Sequence, residues 1–514
     1  MIPSAVSPLD RVDPAQAWQP WEPSAEEPFN LKWAGHLYRR AAFGATLTEM
    51  RRAEKEGLNA TLDRLLNGEP RAKTLTDFLQ KEGEKIARRN NLFELRAWWL
   101  YCMLNSGHPL REKMTLFWHN HFATSITKVQ HTQTMMMQNE LLRKHALGKF
   151  GPFLLEMSKD PAMLIYLDSN SNVKAHPNEN YAREVMELFS LGVGNYTEKD
   201  IREAARAFTG WHTDGESYEF NEGFHDEGPK TVLGSTGNWD GGDVVDILLK
   251  QKTCARFLVR KLYRTFVSEN QDTPDALLEP LCEQLRKNDY DLSALLRTML
   301  ASKHFFSAHA FRQRIKSPVE FTLGAVRSVA AGLLPQSVLV GRLDAMGQDL
   351  FAPPNVKGWT GAQAWLNTST ILTRQNFGQA VAMGTLWNNV PQRGPGRFEP
   401  QFETVEVDEP AQPEPTTVPP GTPPLPVKRP SRPEEPAPAK EFDPARVIHE
   451  EKATKAEQIV RILLDTHLPG GVSKSAQAKL VAFVEAGKPV GAALDRRVRE
   501  AVHAILCMPE YQLA

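Results

Sequence analysis

The 514-residue chain is poor in cysteine, carries almost no net charge and has no long apolar run. Its cysteines are Cys102, Cys254, Cys282 and Cys507, which lie far apart and lack CxxC spacing. This pattern excludes a dense disulfide framework and favours buried free thiols in a reducing compartment. Lys and Arg total 61 against 62 for Asp and Glu, so no overall positive field attracts phosphate backbones or anionic membranes. Nucleic acid is therefore not expected as a partner.

The N-terminal region lacks the pattern of an export signal. Residues 1–30 contain no basic segment followed by an apolar one, and they carry prolines and acids without periodicity. We interpret them as a flexible N-terminal arm. No window of the chain holds the roughly twenty apolar residues that a membrane span requires. The sequence therefore predicts no membrane span and a cytoplasmic protein, with an envelope location as the alternative if the start is misassigned.

Helical periodicity dominates the first 390 residues. Apolar residues recur at intervals of three and four through most of residues 31–210, as in LFELRAWWLYCM at residues 92–103. Over 210–243 the chain changes to Gly, Asp and aromatic residues, which indicates a long irregular loop with room for one small hairpin. Helical patterning then continues to about residue 345. The sequence predicts a mainly α fold, with a main helical domain over residues 31–390.

The last quarter of the chain divides into two segments of different composition. Residues 391–444 hold 16 of the 37 prolines and few large apolar residues. Such a segment buries too little surface to offset its ordering entropy, so we predict a disordered Pro-rich tether. Residues 445–514 carry three short amphipathic patterns, and we expect these C-terminal helices to pack on the main domain.

The stretch FWHNHFATS at residues 117–125 places two histidines and an asparagine among aromatic residues. On a helix, His121 shares the apolar face and His119 lies on the opposite side. They can share one metal only if the helix ends near Trp118 and the next residues extend. We treat His119 and His121 as candidate ligands of a divalent metal. The alternatives are a core histidine bonded to a carbonyl or carboxylate for His121, and a solvated position for His119.

A second candidate site lies in the stretch NENYAREVMELFSLGVGNYTEKD. Glu179, Arg183 and Glu187 follow one side of the predicted helix in steps of four, and Glu184 lies about 60° beyond Glu187. A solvated ladder of ion pairs accounts for this spacing. In the functional alternative, Glu184 and Glu187 face a cleft as metal ligands or as an acid and base with divergent pKa values. Arg183 is then a third candidate catalytic residue.

The irregular stretch FHDEGPKTVLG supplies two further candidates. His225 and Asp226 are adjacent, and Lys230 follows closely. A His-Asp dipeptide alone is a weak signal, because the metal motif with those letters lies on a helix. We include His225 and Asp226 as candidate catalytic residues, with a purely structural role as the alternative.

These motifs together resemble a bacterial family known as domain of unknown function 1800. The resemblance rests on HLYRRAAFGAT, LREKMTLFWHNHFATS, DPAMLIYLD, NENYAREVMELFSLGVGNYTEKDIREAARAFTGW, HDEGPKTVLG and PPNVKGWTGAQAWLN. It covers most of residues 31–380 and resumes after 445, so the Pro-rich segment resembles an insertion. The resemblance implies no established activity. It does imply a neighbouring gene for a sulfatase-like protein with an export signal, and many family members themselves resemble exported proteins.

Two functions are consistent with these observations. In the first, the histidine stretch, the Glu184/Glu187 helix and the His225 loop meet in one enclosed cleft. A divalent metal or acid and base residues there would hydrolyse a sugar-like or ester-like substrate. We then expect His121 or His119 to approach Glu184 or Glu187, because a buried imidazole needs a polar partner. The alternative is a non-catalytic binding or assembly partner of the co-encoded sulfatase-like protein. No nucleophile elbow, P-loop or Rossmann fingerprint narrows the reaction further.

Deletion of residues 395–440 tests the tether prediction. A segment that buries little surface contributes little to stability. We therefore expect the shortened protein to melt within a few degrees of the full chain in differential scanning calorimetry. A large loss of Tm would show that the segment wraps the core.

Overall fold

The computed structural model consists mainly of packed helices. The described residues are 9, 12–69, 72–329, 336–387 and 443–514. Within these ranges there are 25 α-helices and two antiparallel two-stranded sheets, which confirms the prediction of a mainly α fold. The predicted Pro-rich tether lies almost wholly outside the described residues, and so does the first part of the predicted N-terminal arm.

The N-terminal half of the protein is almost entirely helical. Its first nine helices are α1 (Pro14–Ala17), α2 (Leu31–Ala41), α3 (Leu47–Glu56), α4 (Leu58–Asn67), α5 (Ala72–Arg88), α6 (Leu92–Asn105), α7 (Pro109–His121), α8 (Ile126–Val129) and α9 (Thr132–His145). The next four are α10 (Phe150–Ser158), α11 (Pro161–Tyr166), α12 (Asn180–Glu184) and α13 (Glu198–Ala207). A π-helical turn, Val185–Ser190, continues α12 directly.

The predicted irregular loop contains two hairpins rather than one. Strand β1 (Trp211–Thr213) pairs with β2 (Tyr218–Phe220), and β3 (Lys230–Val232) pairs with β4 (Ser235–Gly237). A 3₁₀ turn, Glu222–Phe224, lies between them. The hairpins pack onto the rest of the body through α13, which contacts β3.

The remaining helices follow the hairpins. They are α14 (Gly241–Lys250), α15 (Lys252–Phe266), α16 (Asp275–Lys287), α17 (Leu292–Ala301), α18 (Pro318–Val329), α19 (Ser337–Ala345) and α20 (Thr368–Ala382). The C-terminal helices are α21 (Arg446–Glu450), α22 (Ala456–His467), α23 (Lys474–Glu485), α24 (Ala492–Leu506) and α25 (Pro509–Gln512). No helix within the described ranges is long and apolar enough to cross a membrane.

Side-chain caps define where many of these helices begin. Asn30, Thr46, Asp160, Thr197 and Asp240 each accept a hydrogen bond from a backbone amide in the first turn that follows. Those amides have no partner within the helix, and each cap stabilises its helix by about 1 kcal/mol. The helix boundaries are therefore encoded locally.

Helix α7 lies at the centre of the helical body and packs against α2, α4, α6 and α9. Its buried side carries Leu110, Met114 and Trp118. The Trp118 ring packs against Phe122 and Phe153, with centroid distances of 5.8 and 5.0 Å. Burial of such large apolar side chains contributes about 1.5–3 kcal/mol each, so the position of α7 is strongly fixed.

A buried ion cluster joins α7 to α18. The Lys113 ammonium contacts the Glu320 carboxylate, and Arg314 lies 3.0 Å from Glu320 and 3.6 Å from Glu269. Burial alone would raise the pKa of Glu320, but Arg314 and Lys113 hold it well below its ordinary value. Two cations therefore keep the buried Glu320 carboxylate ionised.

The C-terminal helices pack on the rest of the body. Helix α24 lies against α20, and α22 lies against α18. Near the chain end, the Gln512 carbonyl accepts a 2.8 Å hydrogen bond from the Lys316 amide, and the Ala514 amide donates a 2.8 Å bond to the Arg314 carbonyl. These bonds hold the last residues against the segment before α18. The domain boundaries drawn from composition stay predictions.

Replacement of Glu320 by Gln should destabilise the protein strongly. The change leaves the buried cations Lys113 and Arg314 without the carboxylate that both contact. We expect the free energy of unfolding from urea titration to fall by about 3–5 kcal/mol. The matched control is Glu451→Gln, which breaks the exposed pair with Arg51 and should cost less than about 1 kcal/mol. Equal losses for both variants would contradict the importance of the buried cluster.

Candidate functional site

The histidine stretch forms the last turn of α7, which continues unbroken to His121. A metal shared by both histidines requires a helix that ends near Trp118, whereas α7 continues to His121. The two rings contact different parts of the protein. His119 packs edge-on against Trp99, whereas His121 packs against Phe189 and Phe257. Metal binding by either histidine stays a prediction.

His119 holds the segment that follows α19. Its Nε2 accepts a 3.2 Å hydrogen bond from the Phe351 amide, and burial lowers its pKa to about 3. The ring is therefore neutral and able to accept. Phe351 has a φ of 63°, in the left-handed region that disfavours non-glycine residues. The solvated position proposed as an alternative for His119 is wrong, because its side chain is buried.

Asn120 fastens a second segment to the same helix end. Its Oδ1 accepts a 2.6 Å hydrogen bond from the Trp359 amide, and its Nδ2 donates a 3.4 Å bond to the Trp359 carbonyl. Gly358 has a φ of 74°, and a Cβ there would lie 2.2 Å from Asn120 Oδ1. Only glycine allows this approach of the loop to α7.

His121 binds a carbonyl and an amine rather than a carboxylate. Its Nε2 lies 3.1 Å from the Phe189 carbonyl oxygen, and its Nδ1 lies 3.0 Å from Lys261 Nζ. The carbonyl requires Nε2 to donate, so Nδ1 accepts from the amine. Burial lowers the pKa of His121 well below its ordinary value, and the Lys261 charge lowers it further. Of the alternatives drawn from the sequence, the core histidine bonded to a carbonyl is the one observed.

Lys261 is the residue that the sequence did not single out. It lies on α15, and its Nζ also donates a 3.1 Å hydrogen bond to the Leu188 carbonyl. Burial, together with the charge of the neighbouring Arg264, lowers its pKa to about 7. No carboxylate of the described residues forms an ion pair with it. The amphipathic pattern of α15 did not indicate that Lys261 is withdrawn from water, because a lysine beside an apolar stripe is usually solvated.

A pocket of about 300 Å³, called the Lys261 pocket below, opens beside this amine. Its walls come from the end of α7, from α15, from the start of α18 and from residues 357–365. Aromatic side chains supply the apolar part, and they are Phe117, Trp359 and Trp365. Asn120, Thr265, Ser317, Gln348 and Thr360 add polar groups. Of the residues proposed from the sequence, His121 lines this pocket.

The Lys261 pocket has an excess of positive charge. Among its lining residues, Lys113 and Arg314 are paired with Glu320, and Arg314 also lies near Glu269. The other lining cations are Lys261, Arg264 and Lys357. None of these three forms an ion pair within the part of the chain that the structure describes. Arg264 and Lys357 are exposed to water, and the Lys357 charge also acts on Glu184. The charge of the lining residues therefore favours a negative group over a positive one in this pocket.

Glu184 and Glu187 lie beside the π-helical turn, and both are half-buried. The Tyr196 hydroxyl donates a 2.7 Å hydrogen bond to Glu187. Burial raises the pKa of Glu184 and Glu187 raises it further, while Lys357 and Arg183 oppose this. The π-helical turn connects the pair to His121, which binds the Phe189 carbonyl in the same turn. Such turns are frequent at functional sites.

Arg183 takes part in a surface ladder. It lies 3.1 Å from Glu179 and 2.8 Å from Glu198 of α13. Both contacts are largely exposed and contribute about 1 kcal/mol or less. The ion pair between Glu179 and Arg183 has the geometry of the solvated alternative.

His225 and Asp226 hold the hairpin region on α13. His225 Nδ1 lies 2.9 Å from the Thr209 carbonyl oxygen, and Asp226 pairs with Arg206 at 2.7 Å. The Lys230 ammonium binds the Asp226 carbonyl. Neither His225 nor Asp226 lines the Lys261 pocket. None of these contacts joins the His225 loop to the end of α7 that carries His119 and His121.

Within the described ranges, no group of three or more His, Cys, Asp and Glu side chains has a geometry that could hold a metal ion. The histidine nitrogens of α7 instead contact a backbone amide, a carbonyl and an amine. The chemistry that the described site offers is hydrogen bonding and charge, with an amine whose pKa lies near neutrality.

Comparison with known proteins identifies a family. A family model described as Protein of unknown function (DUF1800) matches residues 36–513. No curated protein and no solved structure matches the chain. The match covers nearly the whole sequence, including every motif on which the resemblance rested. The chain belongs to the DUF1800 family.

Proposed function

We propose that the protein binds a small anionic molecule in the Lys261 pocket. The observation that carries this proposal is the set of three lining cations, Lys261, Arg264 and Lys357, without carboxylate partners among the described residues. Hydrogen bonds between ionised groups contribute about 1.5–3 kcal/mol each. A carboxylate, sulfate or phosphate group would supply the acceptors that these cations lack.

The size and lining of the pocket limit the rest of the ligand. A volume of about 300 Å³ is at the lower end of the range for small-molecule sites. Trp359 and Trp365 offer aromatic faces, and Asn120 and Gln348 offer amide groups. A single ring with hydroxyl groups and one negative substituent, such as a sugar acid, matches this combination. The sequence analysis proposed a sugar-like or ester-like substrate, and a sugar acid belongs to the first of these two classes.

Hydrolysis by Glu184 and Glu187 is the catalytic form of this proposal, although neither carboxylate lines the Lys261 pocket itself. The raised pKa of Glu184 favours a proton donor, and Glu187 would act as the base. Lys357 relates the pair to the pocket, because it lines the pocket and its charge also acts on Glu184. A substrate would therefore extend from the pocket past Lys357 to the pair. Arg183, His225 and Asp226 are left out, since their side chains are engaged in ion pairs or backbone contacts.

Two further predictions from the sequence have no supporting contact among the described residues. One is a divalent metal on His119 or His121, which elemental analysis of the purified protein would detect. The other is a sulfatase-like protein partner, which co-purification with the product of the neighbouring gene would detect. Both stay predictions.

Calorimetric titration tests anion binding. We expect sodium glucuronate to bind the native protein and uncharged glucose to bind at least tenfold more weakly, because glucose lacks the negative group. Arg264→Gln and Lys357→Gln should each weaken glucuronate binding about 10-fold, which corresponds to about 1.4 kcal/mol. The matched control is Lys250→Gln on α14, an exposed lysine outside the pocket, which should leave the affinity unchanged. Equal effects of all three variants would show that binding depends only on overall charge.

The pH dependence of binding tests the role of Lys261. An amine with a pKa of about 7 is charged below that pH and loses its charge above it. We therefore expect sulfate, whose charge is constant between pH 6 and 9, to bind best at pH 6 and progressively more weakly above pH 7. Lys261→Met should bind sulfate weakly at every pH. An affinity for native protein that does not change from pH 6 to pH 9 would remove Lys261 from the site.

A further inference from the structure

Glu320 lines a second, small cavity in addition to the Lys261 pocket. This cavity is lined by α2, by α18 and by the C-terminal segments around His467 and Tyr511. Its volume is about 30 Å³, which is room for two or three water-sized species. Because Lys316 is the cation that lies immediately before α18 and faces this space, we call it the Lys316 cavity.

Two buried cations line the Lys316 cavity. Lys316 is 4% exposed and Arg39 is 8% exposed. The Lys316 ammonium lies 3.6 Å from the centroid of the Tyr511 ring, and no carboxylate of the described residues forms an ion pair with it. Arg39 donates one 3.4 Å hydrogen bond to the Pro469 carbonyl, and its Nε has no hydrogen-bond partner in the described part of the protein.

The only carboxylate among the cavity-lining residues of the described chain is already shared. Glu320 contacts Lys113 and Arg314, and it accepts a 2.8 Å hydrogen bond from the Ser317 amide. It forms no ion pair with Lys316 or Arg39, although its charge acts on Lys316 from a distance. The cavity contains more positive than negative charge.

Burial and positive charge both act on these two cations. Burial lowers the pKa of Lys316 well below its ordinary value and the Arg39 charge lowers it further, while the Glu320 charge opposes this only in part. Burial also lowers the pKa of Arg39 to about 9. Unpaired buried charge is expensive, and a counter-ion of suitable size removes much of that penalty.

We infer that the Lys316 cavity binds a monovalent anion of halide size, with chloride as the physiological member of that class. The Lys316 ammonium and the Arg39 Nε–H supply charged donors. His467 Nε2, which also has no partner among the described residues, lines the same space. The ion would join α2 to the C-terminal segments and would stabilise the protein rather than take part in a reaction. This inference is independent of the function proposed for the Lys261 pocket.

Thermal unfolding in different sodium salts tests the inference. All proteins in this comparison carry Lys261→Met, so that anions in the Lys261 pocket do not affect the result. At fixed ionic strength, replacement of isethionate by chloride or bromide should raise the Tm of the full chain by about 2–5 °C, with saturation as the halide concentration increases. Isethionate is too large for the cavity. Addition of Lys316→Met should abolish the halide-dependent rise, whatever the Tm in isethionate. Addition of Lys250→Met is the matched control and should leave the rise unchanged.

Bromide also gives a test that needs no variant. Crystals of the native protein soaked in sodium bromide should show an anomalous scattering peak within hydrogen-bond distance of Lys316 Nζ and Arg39 Nε. A Tm of the Lys261→Met protein that is equal in chloride and isethionate would overturn the inference. An anomalous map without a peak in the cavity would overturn it as well, even if the Lys316 variant fails to fold.

Discussion

The last turn of α7 is the constraint on which the described site depends. Three consecutive polar residues there each hydrogen-bond a different part of the chain. His119 holds the Phe351 amide, Asn120 holds both backbone groups of Trp359, and His121 holds the Phe189 carbonyl and the Lys261 amine. Because α7 is itself fixed by the burial of large apolar side chains, these bonds fix the neighbouring segments relative to α7. Of the residues held in this way, Trp359 and Lys261 line the Lys261 pocket. The pocket is therefore built by hydrogen bonds rather than by one regular element.

The end of the π-helical turn explains why His121 has no carboxylate partner. The last carbonyls of a helix have no donor within that helix, and the Leu188 and Phe189 carbonyls are in this position. Lys261 and His121 donate to them, so the acceptors that a buried imidazole and a buried amine need are backbone atoms. The same contacts draw Lys261 out of water, which lowers its pKa to about 7. The carbonyls at the end of the π-helical turn therefore give His121 and Lys261 hydrogen-bond acceptors, but they give Lys261 no negative charge.

Periodicity and composition were sufficient to predict the mainly α fold, and the apolar stripe of α7 correctly indicated that His121 is buried. The partner of His121 could not be predicted, because Lys261 is 140 residues away in sequence and its own helix shows an ordinary amphipathic pattern. Asn120 was visible between the two histidines, yet its role depends on Gly358, where a loop approaches closely enough to exclude a side chain. His225 and Asp226 were candidate catalytic residues, whereas in the structure they contact Thr209 and Arg206, which lie within about twenty residues in sequence. The sequence pattern identified His121 as buried but left His119 open and gave no signal for Lys261, because the contacts between distant segments decide both the burial and the partners of these residues.

Glu320 connects the two sites whose charge is unbalanced. It lines both the Lys261 pocket and the Lys316 cavity, and its carboxylate is held by Lys113 and Arg314, which keep it ionised. This single charge is shared by both sites, and it offsets only part of the effect of burial and of Arg39 on Lys316. Lys261 and Arg264 in the pocket, and Lys316 and Arg39 in the cavity, form no ion pair with a carboxylate of the described residues. The cluster around Glu320 is held by direct contacts between opposite charges, whereas these outer cations are not, so they are the groups to which the two proposals assign a ligand.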